Sequence, residues 1–361
     1  MPATIVLQNS HYRPDEFVRL DLMQFNFQGL DAGQRFIQLW QNNKQFFDQK
    51  TSGSTGIPAI HQISRQRFIA SADRTVAVLG LKPNSKALVC INMAYIGGKM
   101  MLVRGLSYNW ELHLVKPDAD LTQEAANSPY DFAAMVPLQV QKLVSSHEGR
   151  EFLNNIGCLI IGGAAISGEL INQMQELKCE TYATYGMTES VSHIALQKLN
   201  GPDRSAHFTM LPGIEFGTDE RGCLKVKADV TDEQWIQTND LVAFERDREF
   251  KVLGRADNVI NTGGVKVQIE SLEALISESG LLEDQAFAIS QLQDEALGSK
   301  IVLVLEQSPA DSNQLLAKLK ETLPPYQAPK AIYYTPALPK TASGKLDRPA
   351  LNAWLLEQAP H

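Results

Sequence analysis

The chain has 361 residues, of which 44% are hydrophobic, 7% aromatic and 20% charged. That profile fits a globular protein of about two domains and excludes disordered or fibrous chains. Its 33 basic residues against 41 acidic ones give a net charge of −8, which argues against nonspecific nucleic-acid binding. The four cysteines, Cys90, Cys158, Cys179 and Cys223, form no CxxC pair, and three lie in or beside apolar runs. Buried free thiols follow, rather than disulfides or metal ligands. No basic segment leads into a long apolar stretch at the N-terminus, and no run approaches the roughly 18 apolar residues of a membrane span. A cytoplasmic location follows by default.

In chain order, the stretch GQRFIQLWQNNKQFFDQ (33–49) reads as helical and ends in the polar loop TSGSTGIP. SRQRFIASADRTVAVLGL (64–81) has helical apolar spacing, with Gly80 and Pro83 after its end. ALVCINM (87–93) reads as a buried strand, leading into Gly97-Gly98 and the apolar segment KMMLVRGL (99–106). CLIIGG (158–163) is a second buried strand, after which Ser167 can cap a helix bearing Leu170, Ile171, Met174 and Leu177. This alternation of strand, loop and helix between about 85 and 195 predicts α/β layering on a largely parallel sheet. Residues 213–254 carry short strands and turns: TDERG, CLKVKA, WIQTNDLVAF and EFKVLG. Beyond Gly254 comes a compact α+β pattern. It has a helix near 267–278, strands AFAIS and IVLVLEQ, a helix near 311–322, a strand AIYYTP and a polar loop PKTASGKLDR. The fold class is therefore α/β: a large N-terminal domain with layered sheets (1–254) and a smaller, mobile C-terminal α+β domain (255–361), with the boundary at 254–257.

Five segments carry chemistry. Thr51, Ser52, Gly53, Ser54, Thr55 and Gly56 combine hydroxyls with glycines that let backbone approach an anion. No Lys-Ser/Thr follows the last glycine, so this is not a Walker A loop. Tyr185-Gly186-Met187-Thr188-Glu189 places an acid and a hydroxyl after a strand, where they could hold a divalent cation and a phosphate. Thr238-Asn239-Asp240, read as lying between strands, offers a carboxylate to a vicinal diol; in isolation an Asx turn explains it better. Gly254-Arg255-Ala256-Asp257 crosses the boundary, where an Arg can bind a nucleotide or form an interdomain ion pair. Finally, Lys345 sits on a glycine-flexed loop and could swing into a cleft as a point charge, or simply stay solvated.

The order of these segments resembles the acyl-adenylate-forming (AMP-binding) superfamily of acyl- and aryl-CoA ligases, luciferases and peptide-synthetase adenylation domains. TSGSTGIP resembles its phosphate loop and IIGGAA (Ile160 to Ala165) its adenine- and acyl-pocket loop. TYGMTE, TND, GRADNVINTGG and PKTASGKLDR resemble the remaining signatures, so the likeness runs from about residue 50 to the C-terminus. The short length and GMTESVSH point within it to the o-succinylbenzoate–CoA ligases of menaquinone biosynthesis. The resemblance implies two half-reactions: carboxylate plus ATP gives acyl-AMP and pyrophosphate, and then the C-terminal domain rotates and the CoA thiol displaces AMP. It further implies Mg²⁺, a carboxylic acid, ATP and CoA as partners, with no nucleic acid and no membrane span. Homodimers are common in such families, so a homodimer stays open.

By the same resemblance, Thr51, Ser52, Gly53, Ser54, Thr55, Gly56 and Thr188 hold phosphates, and Glu189 holds Mg²⁺. Asp240 and Arg255 hold the ribose, and Gly163, Ala164, Tyr185 and Gly186 flank the adenine and acyl group. Asp257 marks the hinge, Gly263 and Gly264 line the CoA tunnel, and Lys345 is the adenylation lysine. Arg104, in its apolar segment, is costly unless paired. A second substrate carboxylate would pair it, with Ser192 and His193 alongside; a protein acid or snorkelling to water would serve as well. The sequence departs from the family pattern at Ala59 (usually lysine), Asn239 (usually glycine) and Tyr95 (often histidine). Asn239 tolerates left-handed backbone, which would preserve the turn. The phosphate loop begins about a hundred residues earlier than is usual, so the N-terminal region reads as shortened. Another aryl or acyl acid, and a nucleotide-binding relative without catalysis, remain alternatives.

Overall fold

The computed structural model describes residues 2–25, 27–50, 60–282, 285–308, 311–341 and 346–358. Six parallel strands set the frame, in the spatial order Thr4–Leu7, Glu111–Leu114, Lys86–Val89, Tyr130–Met135, Ile156–Ile161 and Glu180–Gly186. Successive side chains of a strand point to opposite faces, so a strand covered on both sides must be apolar throughout. That is why these segments read as continuous apolar runs. Phe132, Ala134, Cys158 and Ile160 enter one core; their neighbours Ala133, Met135, Leu159 and Ile161 enter another. The helices Leu30–Gln41, Arg65–Val78 and Ile96–Tyr108 close the first core, and Pro137–Val144, His147–Asn154 and Gly168–Gln173 close the second.

Antiparallel strands extend the sheet beyond Glu180–Gly186, in the order His193–Lys198, Phe208–Met210, Glu249–Arg255, Ile236–Arg246, Cys223–Lys227 and Glu215–Thr218. Ser10–Tyr12 borders the other side. A separate smaller sheet holds Val265–Gln268, Val259–Thr262, Gly298–Leu305 and Phe287–Asp294 in that order, with Ala331–Tyr334 beside Gly298–Leu305. Helices Ile269–Glu278 and Ser312–Thr322 cover one face of it through Leu272, Ile276 and Leu319; Arg348–Gln358 covers the other through Leu351 and Leu355. The mixed α/β class and the parallel sheet match the sequence reading. All four cysteines are buried and free. No helix among the described residues is long and apolar enough to cross a membrane.

Four local expectations change. The helix read over 33–49 stops at Gln41, and Phe46–Lys50 is a strand. Asn43 takes a left-handed φ of 54°, which turns the chain so that Phe47 packs among Phe36, Trp40 and Phe68, with ring centroids 5.0, 5.8 and 5.6 Å away. The strand pairs antiparallel with Ile60–Ser64, placing Gln49 opposite His61. Ser167 does cap a helix, its Oγ accepting from the Leu170 N–H at 3.2 Å, but the helix ends at Gln173 and tightens into a 3₁₀ turn over Met174–Glu176. Thr238-Asn239-Asp240 lies inside the strand Ile236–Arg246 rather than between strands, next to a register break at Leu241/Val242. A last helix, Arg348–Gln358, follows the polar loop.

One polar group is enclosed in the first core. Arg104 is 1% exposed; its Nη2 donates to Thr75 Oγ1 at 3.1 Å, and its plane lies 5.9 Å from the Phe132 ring centre. The Thr75 hydroxyl donates to the Ser71 carbonyl at 2.9 Å, so it accepts from both Arg104 and His193 Nε2, the latter at 3.1 Å. That arrangement puts the imidazole proton on Nε2 and turns Nδ1 toward Ser192 Oγ, 3.4 Å away. Burial, with the nearby Arg104 and Arg74 charges, pulls His193 down to about 3.

A pH dependence of stability follows. The unfolded imidazole takes up its proton near 6.5 and the native one only near 3, so His193 stabilises the fold above pH 6.5 and loses that contribution as pH falls. The expected slope is about 1.4 kcal/mol per pH unit across that window. Urea unfolding of the parent and His193→Gln at pH 7, 6 and 5 checks it: their stability difference should shrink steadily, and a constant difference contradicts the assignment.

Candidate functional site

The strands Ile236–Arg246 and Glu249–Arg255 set Asp240 directly opposite Arg255. Tyr185, near the end of the parallel strand Glu180–Gly186, reaches the same carboxylate: its hydroxyl donates to Asp240 Oδ2 at 2.6 Å. Its ring stands edge-on to Phe250, centroids 5.4 Å apart, with Phe208 5.8 Å away. Arg255 gives Asp240 one hydrogen bond, Nη1 to Oδ1 at 3.4 Å, and gives Asp257 a bidentate pair at 2.9 and 2.8 Å. Burial and the adjoining Asp240 charge push the Tyr185 hydroxyl well up, so it stays a donor. The Asp257 hydrogen bonds raise Arg255, outweighing its partial burial. Burial opposes ionisation of Asp257, yet the bonds and charge of Arg255 win and hold its carboxyl below the usual range. Tyr185, Asp240, Arg255 and Asp257 thus form one network beside the last turn of the large sheet. Asn239 has no positive φ; it sits in extended strand and accepts from Arg221 Nη1 at 3.3 Å, so the glycine that usually stands there is not needed for a left-handed turn.

Thr188–Ser190 form a 3₁₀ turn directly after that parallel strand. Gly186 is required here, because a Cβ would stand 2.2 Å from the Ser192 carbonyl oxygen. Val191 has φ 65° and ψ −50°, with Ser192 N–H donating to Ser190 O at 2.7 Å. This is a γ-turn of the strained hand, costly for a β-branched residue. Arg67 secures the turn from outside: Nη2 donates to the Glu189 carbonyl at 2.5 Å, Nε to the Val230 carbonyl at 2.6 Å, and Nη1 to Asp232 at 3.2 Å. The Glu189 carboxylate remains about one-third exposed, with His61 Nε2 3.5 Å from its Oε1. No group of three or more His, Cys, Asp or Glu among the described residues could hold a metal ion alone. One exposed carboxylate beside the Thr188 hydroxyl nonetheless fits Mg²⁺ arriving with a nucleotide, since that ion is commonly held by one or two carboxylates plus substrate phosphates.

The remaining expected residues divide by place. Arg104, His193 and Ser192 come together through Thr75, which the sequence reading missed; so were Arg67 and His61. Arg104 has no carboxylate within ion-pair distance among the described residues, and its buried Nε has no hydrogen-bond partner there. Burial pulls its guanidinium down to about 9, which leaves it cationic at neutral pH. Gly163 and Ala164 lie exposed on the loop after Ile156–Ile161. Gly263 and Gly264, with φ of 57° and 81°, form the tip of the hairpin in the smaller sheet, where Gly263 N–H donates to the Leu297 carbonyl. Thr51, Ser52, Gly53, Ser54, Thr55, Gly56, Ala59 and Lys345 lie outside the described residues.

Comparison with known proteins gives a consistent result. A model of the AMP-binding enzyme family matches residues 41–216, and one of the AMP-binding enzyme C-terminal domain matches 291–345. The solved structure of an acyl-CoA synthetase (AMP-forming)/AMP-acid ligase II-like protein from Dyadobacter fermentans is 37% identical, covers 95% of this chain and 98% of that one, and superposes with a TM-score of 0.63. The 2-succinylbenzoate–CoA ligase of Salmonella typhimurium is 26% identical over 92% of this chain and 75% of its own. The o-succinylbenzoate coenzyme A synthetase of Bacillus subtilis, solved with ATP and magnesium ion, shares the fold at 21% identity and a TM-score of 0.72, covering 84% of this chain and 69% of that one. The chain belongs to the AMP-binding enzyme family, among its acid–CoA ligases.

Proposed function

We propose that this enzyme joins o-succinylbenzoate to coenzyme A through an acyl-AMP intermediate. The observation that carries the choice of acid is Arg104: a fully buried guanidinium that has, among the described residues, no partner for its Nε and no carboxylate within ion-pair distance. A buried cation is retained at low cost only when an anion meets it. A dicarboxylic acid can present one carboxylate to Arg104 and the other to the nucleotide. Neutral His193 hydrogen-bonds the same Thr75 hydroxyl and stands 3.4 Å from Ser192 Oγ, adding hydrogen-bonding groups beside Arg104 without competing charge. The alternative of a monocarboxylic aryl acid leaves Arg104 unpaired.

On the nucleotide side, Asp240 already accepts two hydrogen bonds through its two oxygens, and ribose hydroxyls are donors of the kind it takes. Tyr185 and Arg255 fix the direction of that carboxylate. Glu189 would hold Mg²⁺, which when bound neutralises phosphate charge and orients the α-phosphate for attack. The segment 254–257 serves as the boundary between a large domain and a mobile small one, with Asp257 as its hinge. Rotation there has to release the Arg255–Asp257 pair and the 2.8 Å bond from Gln268 Nε2 to the Arg255 carbonyl. Gly263 and Gly264, at a hairpin tip without side chains, would then line the path of the pantetheine arm. Buried free thiols suit a reducing, cytoplasmic setting.

Two substitutions test the reading. Lys345→Ala should abolish acyl-AMP formation, by about a thousandfold for one contact worth about 4 kcal/mol. It should spare thioester formation from supplied acyl-AMP; pyrophosphate release and CoA-thioester formation, measured separately, decide this, and equal loss of both removes the assigned role. Arg104→Met should raise KM for o-succinylbenzoate roughly tenfold to a hundredfold, the worth of a charge-assisted hydrogen bond, without raising KM for benzoate. Parallel increases for both acids would show that Arg104 is structural. No pyrophosphate release by the parent with any acid would favour a binding protein without catalysis.

A further inference from the structure

Three elements meet at one buried hydroxyl. Thr75 and Ser71 lie on the core-facing side of the helix Arg65–Val78, Arg104 on that of the helix Ile96–Tyr108, and His193 opens the strand His193–Lys198. Thr75 Oγ1 spends its one proton on the Ser71 carbonyl, a turn earlier in its own helix. Its two lone pairs are then left to accept, and both are used: Arg104 Nη2 donates to it at 3.1 Å and His193 Nε2 at 3.1 Å. With all three bonding positions filled, the hydroxyl has one orientation. The guanidinium's bond from Nη1 to the Met101 sulfur, at 3.9 Å, goes to a weak acceptor, so Thr75 supplies the directional hold. A guanidinium is planar and rigid, so a bond at Nη2 also sets where the Nε–H points. That Nε is buried and has no partner among the described residues. An anion can meet it, whereas an apolar group leaves it unsatisfied.

We propose that Thr75 is a positioning residue for the acid substrate: by holding Arg104 at Nη2, with His193 as second donor to the same oxygen, it presents the Nε edge of the guanidinium to the substrate's second carboxylate. This deepens the o-succinylbenzoate reading and rests on it. A protein carboxylate in Thr75's place would pair with the cation and satisfy it internally. A hydroxyl fixes the direction of the fork and leaves its charge for the substrate. Valine, of the same shape, would leave both Nη2 and Nε2 without their acceptor and the fork free to turn.

Steady-state pyrophosphate release by the full chain, with Mg-ATP and o-succinylbenzoate, tests this. Thr75→Val should raise KM for o-succinylbenzoate about tenfold, the change falling on KM rather than kcat and leaving KM for ATP unmoved. Thr75→Ser, which keeps the hydroxyl, should stay close to the parent. Thr75→Cys, a weaker acceptor, should fall between the two, and it decides the matter if Thr75→Val does not fold. Adding Thr75→Val to Arg104→Met should cost nothing beyond Arg104→Met alone, because the hydroxyl acts through that guanidinium. A parental KM in Thr75→Val or Thr75→Cys, a parallel rise in KM for ATP, or additive losses in the double variant each overturns the proposal. A KM for o-succinylbenzoate that Arg104→Met leaves unmoved removes the dicarboxylate reading itself; a rise there with none in Thr75→Val removes only this inference.

Discussion

The guanidinium of Arg67 is the tie on which the site's arrangement depends. It rises from the first turn of the helix Arg65–Val78, whose Ser64 cap fixes where that turn begins. From there it donates to carbonyls of the Glu189 turn and the Asp229–Thr231 turn and to the Asp232 carboxylate. Three segments far apart in sequence are held by one planar, always-charged fork, which a lysine could not reproduce. The strained γ-turn at Val191 persists because this fork and the close packing of Gly186 leave the Glu189 segment no other path.

Arg67 and Arg104 show two uses of one side chain. Arg67 is partnered on every side and acts as scaffold. Arg104 lies deeper, bonded to the Thr75 hydroxyl and the Met101 sulfur, with its Nε lacking a partner among the described residues. The Thr75 hydroxyl accepts from both Arg104 and His193, so it orders the two side chains without neutralising the cation. That pairing of a rigid cation with a neutral imidazole leaves a fixed positive charge beside Phe132 and Met101 inside an otherwise apolar core.

The parallel strands were legible because burial on both faces forces unbroken apolar runs such as CLIIGG. Tyr185, Asp240 and Arg255 stood out as candidates because each lies in a short, ordered segment, and the structure brings the three together. The strand Phe46–Lys50 was not: its apolar pair Phe46-Phe47 continues a helical spacing, and only the ring cluster with Phe36, Trp40 and Phe68 decides its conformation. Thr75, Arg67 and His61 were hidden for a related reason. Their partners lie 118 residues away for Thr75 (His193), 122 for Arg67 (Glu189) and 128 for His61 (Glu189, 189 − 61), so no local pattern marks them. Asp240 was placed between strands because Thr-Asn-Asp is turn-like in isolation; pairing with Arg255 across the ladder keeps it extended.

Arg255 links the nucleotide network to the proposed hinge. It gives its two shorter bonds to Asp257 and its longest to Asp240, so it favours the Asp257 carboxylate. The same arginine therefore touches both the Tyr185–Asp240 pair and the segment that leads into the smaller sheet. Because Gln268 fixes the Arg255 carbonyl and also donates to Glu270 at the start of the helix Ile269–Glu278, any swing of Arg255's backbone is passed directly to that helix. Side-chain and main-chain bonds of this one residue thus tie Asp240, Asp257 and, through Gln268, the start of the helix Ile269–Glu278 together without a longer relay.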